Sequence, residues 1–216
     1  MAKNILAIIQ ARSASKRLPN KVLLKISNKT IIEHIYDILS GSDFISKIIV
    51  ATTNLKSDDG LVKLLKKNNI DYFRGSSKNV YDRFLKASIK FNGEILVRIT
   101  GDCPLLDIKI IDKVISNFVS NNVQYSSNIT PPTFPDGFDV EVFDFYLLKK
   151  YYSKINSKYD KEHVTTYFRK SKKIKKINLS KKVNLSKIRL TLDDYDDYIN
   201  IINIYKKFNN KNLSYN

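Results

Sequence analysis

The chain has 216 residues, 43% of them hydrophobic, and its 38 Lys+Arg against 21 Asp+Glu leave a net charge of +17. So large an apolar share excludes a disordered polycation and predicts one folded domain that carries the charge on its surface. The single Cys103 excludes an intrachain disulfide and, with only two histidines, a Cys/His zinc site, so any metal is a hard cation on carboxylates and the compartment is expected to be the cytoplasm.

Residues 4–10 are a nearly continuous apolar run, which predicts a strand buried on both faces and is too short for a signal peptide or a membrane span. No membrane insertion is expected. Thr30 with Glu33 is a capping-box pattern, and Ile31, Ile32, Ile35, Ile38 and Leu39 follow at helical spacing until Gly41. Further strands are predicted over 47–52, 71–73 and 95–99, and helices over 61–67, 80–91 and 108–119. Strands alternating with helices give an α/β fold, a mostly parallel sheet covered by helices on both faces, with ligands at the strand ends. The loops after Gln10, Thr52, Arg74 and Thr100 are therefore the places to search.

Beyond Tyr125 the rhythm breaks at Pro131, Pro132, Pro135 and Gly137, which lead into an alternating segment over 138–143. Helices are predicted over 145–152, 162–168 and 196–208, a last strand over 188–192, and a frayed end over 209–216. Residues 128–186 read as a small insertion within the single domain, an excursion from the sheet that covers an acceptor site and builds a subunit interface. Much of the charge lies here: residues 149–187 carry +12 and the rest of the chain only +5. Thirty-one of the cations are lysines, a poor composition for base-specific nucleic-acid readout, so no specific nucleic acid is expected.

Two segments carry chemistry. After the first strand, residues 11–21 place Ser13, Ser15 and the cations Arg12, Lys16, Arg17 and Lys21 in one loop, where backbone N–H, hydroxyl and cationic groups can all donate to phosphate. The glycines of a Walker loop are missing. After residues 95–99 comes Thr100-Gly101-Asp102, which brings a carboxylate out at the ligand edge, while Asp107 is placed to cap the next helix. One or two carboxylates opposite a phosphate cradle suit Mg²⁺, and Asp193 after the last predicted strand is the candidate second ligand.

The pattern Ala11-Arg12-x-Ala14-Ser15-x-Arg17-Leu18-Pro19-x-Lys21 resembles the phosphate loop of cytidylyltransferases that make CMP-activated sugar acids. Arg74-Gly75, Asp82-Arg83 and Gly101-Asp102-x-Pro104-Leu105 recur in the order of that family. Pro135-Asp136-Gly137-x-Asp139-Val140-Glu141, Glu162-His163-Val164-Thr165 and Arg189-Leu190-Thr191-Leu192-Asp193 are similar to its spore-coat-polysaccharide branch. Asn20 and Tyr195 depart from the usual Gly and Pro, and Thr100 stands where the octulosonate enzymes carry Gln. The resemblance implies a Rossmann-like nucleotidyltransferase, a homodimer, that joins CTP to an anionic acceptor. It implies CTP contacts at Ala11, Arg12, Ser15, Arg17, Lys21, Arg83 and Thr100, with Arg12, Lys21 and Asp102 catalytic and Mg²⁺ on Asp102 and Asp193. Asp136, Asp139, Glu141 and His163 would lie near the acceptor, although His163 is as well suited to a structural hydrogen bond.

Two other functions fit parts of the sequence. Asp139-Val140-Glu141 could serve as the acidic metal motif of a glycosyltransferase using a nucleotide sugar. The tyrosines interleaved with lysines over 149–187 could stack on nucleic-acid bases.

Overall fold

The computed structural model describes residues 3–208, and the end expected to fray, 209–216, lies outside them. Strand β1 (Ile5–Gln10) is central, parallel to β4 (Lys47–Thr53) on one side and β6 (Ile95–Thr100) on the other. Leu6, Ala7, Ile8 and Ile9 are wholly inaccessible, as an uninterrupted apolar strand must be. β5 (Tyr72–Gly75) adds in parallel beyond β4. Helices α1 (Ile31–Ser40), α2 (Asp59–Lys67), α3 (Val80–Lys90) and α4 (Ile108–Ser120) alternate with these strands.

Alternate residues of the strands feed two core clusters, one on each face. Ile9, Val50 and Ile99 pack with α1, α2 and α4, and Ile8, Ala51 and Leu96 pack with α3. The capping box of α1 forms: the Thr30 hydroxyl accepts from the Glu33 N–H, and Glu33 accepts from the Thr30 N–H at 2.7 Å. Asp107 caps α4 by accepting from the Lys109 N–H at 2.7 Å.

Residues 128–186 do not leave the sheet as expected. β8 (Glu141–Asp144) inserts antiparallel between β6 and β7 (Tyr125–Ser127), and β9 (Lys176–Asn178) pairs in parallel with β7 at the sheet edge. Among the described residues the sheet has the order β5-β4-β1-β6-β8-β7-β9. Three-residue strands are too short to show a period in sequence, and the same holds for the hairpin of β2 (Lys25–Ile26) and β3 (Lys29–Thr30).

α5 (Phe145–Tyr151) follows β8 as predicted. The helix predicted over 162–168 is instead two, α6 (Lys158–His163) and α7 (Thr166–Lys170), broken where the buried Val164 takes a φ of 57°. A β-branched residue at positive φ costs on the order of 1–3 kcal/mol and persists only where its surroundings over-determine it. The strand predicted over 188–192 has no ladder: Arg189 makes an isolated bridge to Asp136, and the Leu192 N–H donates to the Asp102 carbonyl at 2.8 Å. α8 (Tyr195–Lys207) closes the fold. Its first position takes Tyr195 in place of the usual Pro, because the N–H there needs no partner and the Asp194–Asp197 capping box already fixes the helix start.

Candidate active site

The chain runs from β1 out to β4 and β5 and returns on the other side of β1 as β6, so the strand order reverses at the β1–β6 pair. That is where an open α/β sheet leaves a crevice, and a cleft of about 540 Å³ opens there. The loop after β1 lines it through Ala11, Arg12, Ser15, Arg17 and Lys21. Thr100, Asp102, Arg83, His163 and Asp193 complete the wall.

The loop is shaped from behind by Asp58, which sequence reasoning missed. Asp58 is fully buried at the end of a short 3₁₀ turn after β4. It accepts from the Ser13 N–H at 2.7 Å, from the Thr52 hydroxyl at 2.9 Å, from the Thr53 N–H at 3.0 Å and from the Thr53 hydroxyl. Burial pushes this carboxyl up, but the four hydrogen bonds outweigh it and the net shift is downward, so Asp58 stays ionised behind a cationic loop. The only sequence signal for it was an acid shortly after a threonine pair. At the far end of the loop Asn20 adopts the left-handed conformation, φ 58° and ψ 22°, and opens the turn Lys21–Leu23. The family's usual Gly supplies that geometry freely, and Asn is the side chain that tolerates it next best.

This turn delivers Lys21 to the carboxylates. Its Nζ donates to Asp102 Oδ2 at 3.0 Å, to Asp193 Oδ1 at 3.0 Å and to the Leu192 carbonyl at 2.7 Å. Asp193 also pairs with Arg17 and Arg189, each at 2.9 Å. Burial raises the Asp193 carboxyl, and Lys21 and Arg17 more than reverse that. Gly101 lets Asp102 come so close: a Cβ there would meet Ala11 Cβ and the Gln10 carbonyl oxygen, each at 3.0 Å. Asp102 and Asp193 thus converge on one cation. Two carboxylates beside a phosphate cradle are a donor set that fits Mg²⁺, which fills its other positions with phosphate oxygens and water.

Arg12 pairs with Glu162 of α6 at 3.4 Å across the mouth of the cleft. Arg83 on α3 is 1% exposed and forms no ion pair among the described residues; its Nη1 donates to the Ser76 carbonyl at 2.9 Å and its Nε has no partner. Burial, and then the field of Arg12, lower its pKa to about 10. A buried guanidinium without a counter-ion is costly unless a ligand supplies one.

The expected acceptor residues are split. His163 lines the cleft, and burial lowers its pKa. Asp136, Asp139 and Glu141 do not line it. The expectation for Glu141 is corrected: it is 1% exposed, and its carboxylate accepts from Arg98 at 2.5 Å, Tyr125 at 2.6 Å and Thr165 at 2.5 Å. Its lone pairs are engaged inside the protein, so it acts on the cleft through Arg98, whose Nη2 donates to Gln10 of the cleft wall at 3.1 Å. The same burial removes Asp139-Val140-Glu141 as an acidic metal motif.

Asp139 is raised to about 6, by burial first and then by Asp136 and Glu141. A carboxyl raised above its ordinary 3.8 destabilises the fold when ionised, so this contribution is largest above pH 6 and absent below the ordinary value. Asp139→Asn is therefore expected to stabilise the protein at pH 8 by on the order of 2–3 kcal/mol. The gain should shrink as the pH falls from about 6 to about 4. Denaturant unfolding at several pH values measures it, and a gain independent of pH would contradict the assignment.

The sequence profile of the cytidylyltransferase family matches residues 6–215. The spore coat polysaccharide biosynthesis protein SpsF of Bacillus subtilis is 30% identical over 94% of this chain and 87% of its own. The 3-deoxy-manno-octulosonate cytidylyltransferase of Solibacter usitatus is 34% identical over 53% of this chain and 45% of its own. Among solved structures, a cytidylyltransferase from Leptospira borgpetersenii superposes with a TM-score of 0.86 at 31% identity, covering 99% of this chain and 100% of that one. No helix among the described residues is long and apolar enough to cross a membrane.

Proposed function

The chain belongs to the cytidylyltransferase family, and from that premise we infer that the cleft transfers the cytidylyl group of CTP to an anionic sugar acid or a related small acid, releasing pyrophosphate. The observation that carries the reading is the convergence of Lys21, Asp102 and Asp193 at the strand edge, in a cleft also lined by Arg83, which forms no ion pair among the described residues. The octulosonate relative supports a sugar acid as acceptor, and the spore-coat relative supports a place in polysaccharide biosynthesis.

In the reaction an acceptor oxygen bonds to the α-phosphorus, the bond from that phosphorus to the bridging oxygen breaks, and pyrophosphate departs with the electron pair. Negative charge grows on the leaving oxygens. Lys21 and Arg12 neutralise it once the triphosphate displaces their carboxylate partners, Asp102 and Asp193 for one and Glu162 for the other. Asp102 and Asp193 would hold Mg²⁺, which when bound screens the phosphate oxygens against the attacking group. Ser15 and Arg17 would contact the phosphates, Arg83 the nucleotide, and His163 the acceptor.

Purified protein with Mg²⁺ and a panel of acidic acceptors should release pyrophosphate from CTP at least about tenfold faster than from ATP, GTP or UTP. Equal use of all four nucleotides would sink the cytidine assignment.

A further inference from the structure

The loop after β1 is tied together at one residue. Ser13 is buried; its N–H donates to Asp58 Oδ1 at 2.7 Å, and its carbonyl accepts from the Ser15 N–H at 2.9 Å and the Asn20 N–H at 2.8 Å. The bond from Asn20 closes the loop on itself, and the turn that carries Lys21 to Asp102 and Asp193 opens at the same Asn20. The Ser13 hydroxyl is buried without a partner, so the joint is made by the backbone of this residue. Neither Ser13 nor Asp58 lines the cleft.

The two oxygens of Asp58 have different partners. Oδ2 accepts from the Thr52 hydroxyl, the Thr53 N–H and the Thr53 hydroxyl, all at the end of β4, whereas Oδ1 accepts from the Ser13 N–H. One oxygen anchors the side chain to the sheet and the other grips the loop. We propose that Asp58 is a positioning residue for the candidate active site: through Ser13 it fixes the closed loop, and with it the place from which Lys21 meets an anionic ligand. A carboxylate is needed because it presents acceptors on both sides, and an amide presents one. In Asp58→Asn the three donors at the Oδ2 position outweigh the single donor at Oδ1 and draw the amide oxygen to the sheet. The Thr53 hydroxyl already accepts from the Leu55 N–H at 3.3 Å, which favours its remaining a donor to this oxygen. The amide NH₂ then faces the Ser13 N–H, donor against donor, so the grip is lost while the anchor stays.

Position and field predict opposite signs. Asp58 stands behind a cationic loop and its field reaches Arg83, so neutralising it would by field alone tighten the binding of a polyanion. Loss of position weakens it. The test compares the parent, Asp58→Asn and Thr52→Val by two measurements: backbone amide exchange over residues 11–21, read by NMR, and calorimetric titration with CTP without Mg²⁺ or acceptor. Thr52→Val removes one donor from Oδ2 and leaves Oδ1 on Ser13. Asp58→Asn is expected to speed exchange at Ser13, Ser15 and Asn20 about tenfold and to weaken CTP about tenfold. Thr52→Val should leave both within about twofold of the parent, whatever it costs in stability. The proposal is overturned if exchange at these amides is unchanged in Asp58→Asn or if that variant binds CTP as tightly as the parent or more so. It is overturned equally if Thr52→Val matches Asp58→Asn, which would make the effect one of stability. Should Asp58→Asn fail to fold, the parent decides: a Ser13 amide as protected as those of β1 supports the proposal, and one that exchanges as fast as the exposed Lys16 and Arg17 overturns it. The titration rests on the reading that the cleft takes CTP and the exchange does not, so a parent that fails to bind CTP sinks that reading and leaves the loop to be decided by exchange.

Discussion

Asp102→Asn is expected to cost about a thousandfold in the rate of CTP-dependent pyrophosphate release, with little change in stability. Asp102 leaves β6 through a glycine where a Cβ would press on Ala11 Cβ and the Gln10 carbonyl oxygen, each at 3.0 Å, so the backbone packs closely there and holds the carboxylate at the strand edge. It is one of two carboxylates within 3.0 Å of Lys21 Nζ. An amide there keeps the shape and can still accept from Lys21 through its oxygen, so the local packing survives. It removes the negative charge, and with it half of the carboxylate pair that suits Mg²⁺. Single-turnover rates and a thermal melt, measured side by side, check the prediction. Activity near that of the parent would refute the role of Asp102, and a melt lowered by many degrees would mean that rate loss came from misfolding.

The residues at this centre were legible because each carries its chemistry in its type and follows a strand. An apolar run ending in Gln10, and another ending before Thr100-Gly101-Asp102, fix which loops meet at the sheet edge once the strands are parallel. Asp193 was found for a weaker reason. It was read as the residue after a strand, but residues 188–192 form no ladder among the described residues; scattered contacts bring it there, between Asp136 and both Ile188 and Leu190, from the Leu192 N–H to the Asp102 carbonyl and from Lys21 to the Leu192 carbonyl. Such contacts leave no period in the sequence. Asp58 was invisible because its function is to accept hydrogen bonds from backbone and hydroxyl groups that any sequence possesses. Glu141 was misread for the opposite reason: a conspicuous acid in a family-like motif suggests a ligand contact, whereas register with β6 and β7 places it opposite Arg98 and Ser127 and turns it inward. In sequence the lysine-rich stretch shows only its summed charge, and only folding sets Lys158 and Lys161 of α6 in a pocket with Arg12 while Lys172, Lys173 and Lys175 stay on open surface.

Glu141→Ala is expected to destabilise the protein by about 3–5 kcal/mol, because it leaves the guanidinium of Arg98 in a buried site without its counter-charge. Arg98 Nε already lacks a hydrogen-bond partner, and besides Glu141 its guanidinium donates only to the neutral Gln10 side chain among the described residues. Tyr125 and Thr165 would also lose their acceptor. Glu141→Gln keeps the volume and one acceptor and should cost less, about 1–3 kcal/mol. The pH dependence distinguishes the two contributions. Burial raises the Glu141 carboxyl, but Arg98, Thr165 and Tyr125 reverse this and hold it below the ordinary range. A depressed acid stabilises the fold above its unfolded pKa of about 4.3, and that stabilisation is lost as the pH falls through the lower folded value. The gap between the parent and Glu141→Gln should therefore be widest at neutral pH and narrow in acid. Urea denaturation of the parent and both variants at pH 7 and pH 3.5 measures it. A loss below about 1 kcal/mol for Glu141→Ala would show that Arg98 finds water or another acid when Glu141 is gone. A gap that widens in acid would contradict the ionised state of Glu141. Because Arg98 also donates to Gln10 on the cleft wall, the Gln variant should bind CTP more weakly at the temperature where it remains folded. That outcome would tie the buried ion pair to the shape of the nucleotide cleft.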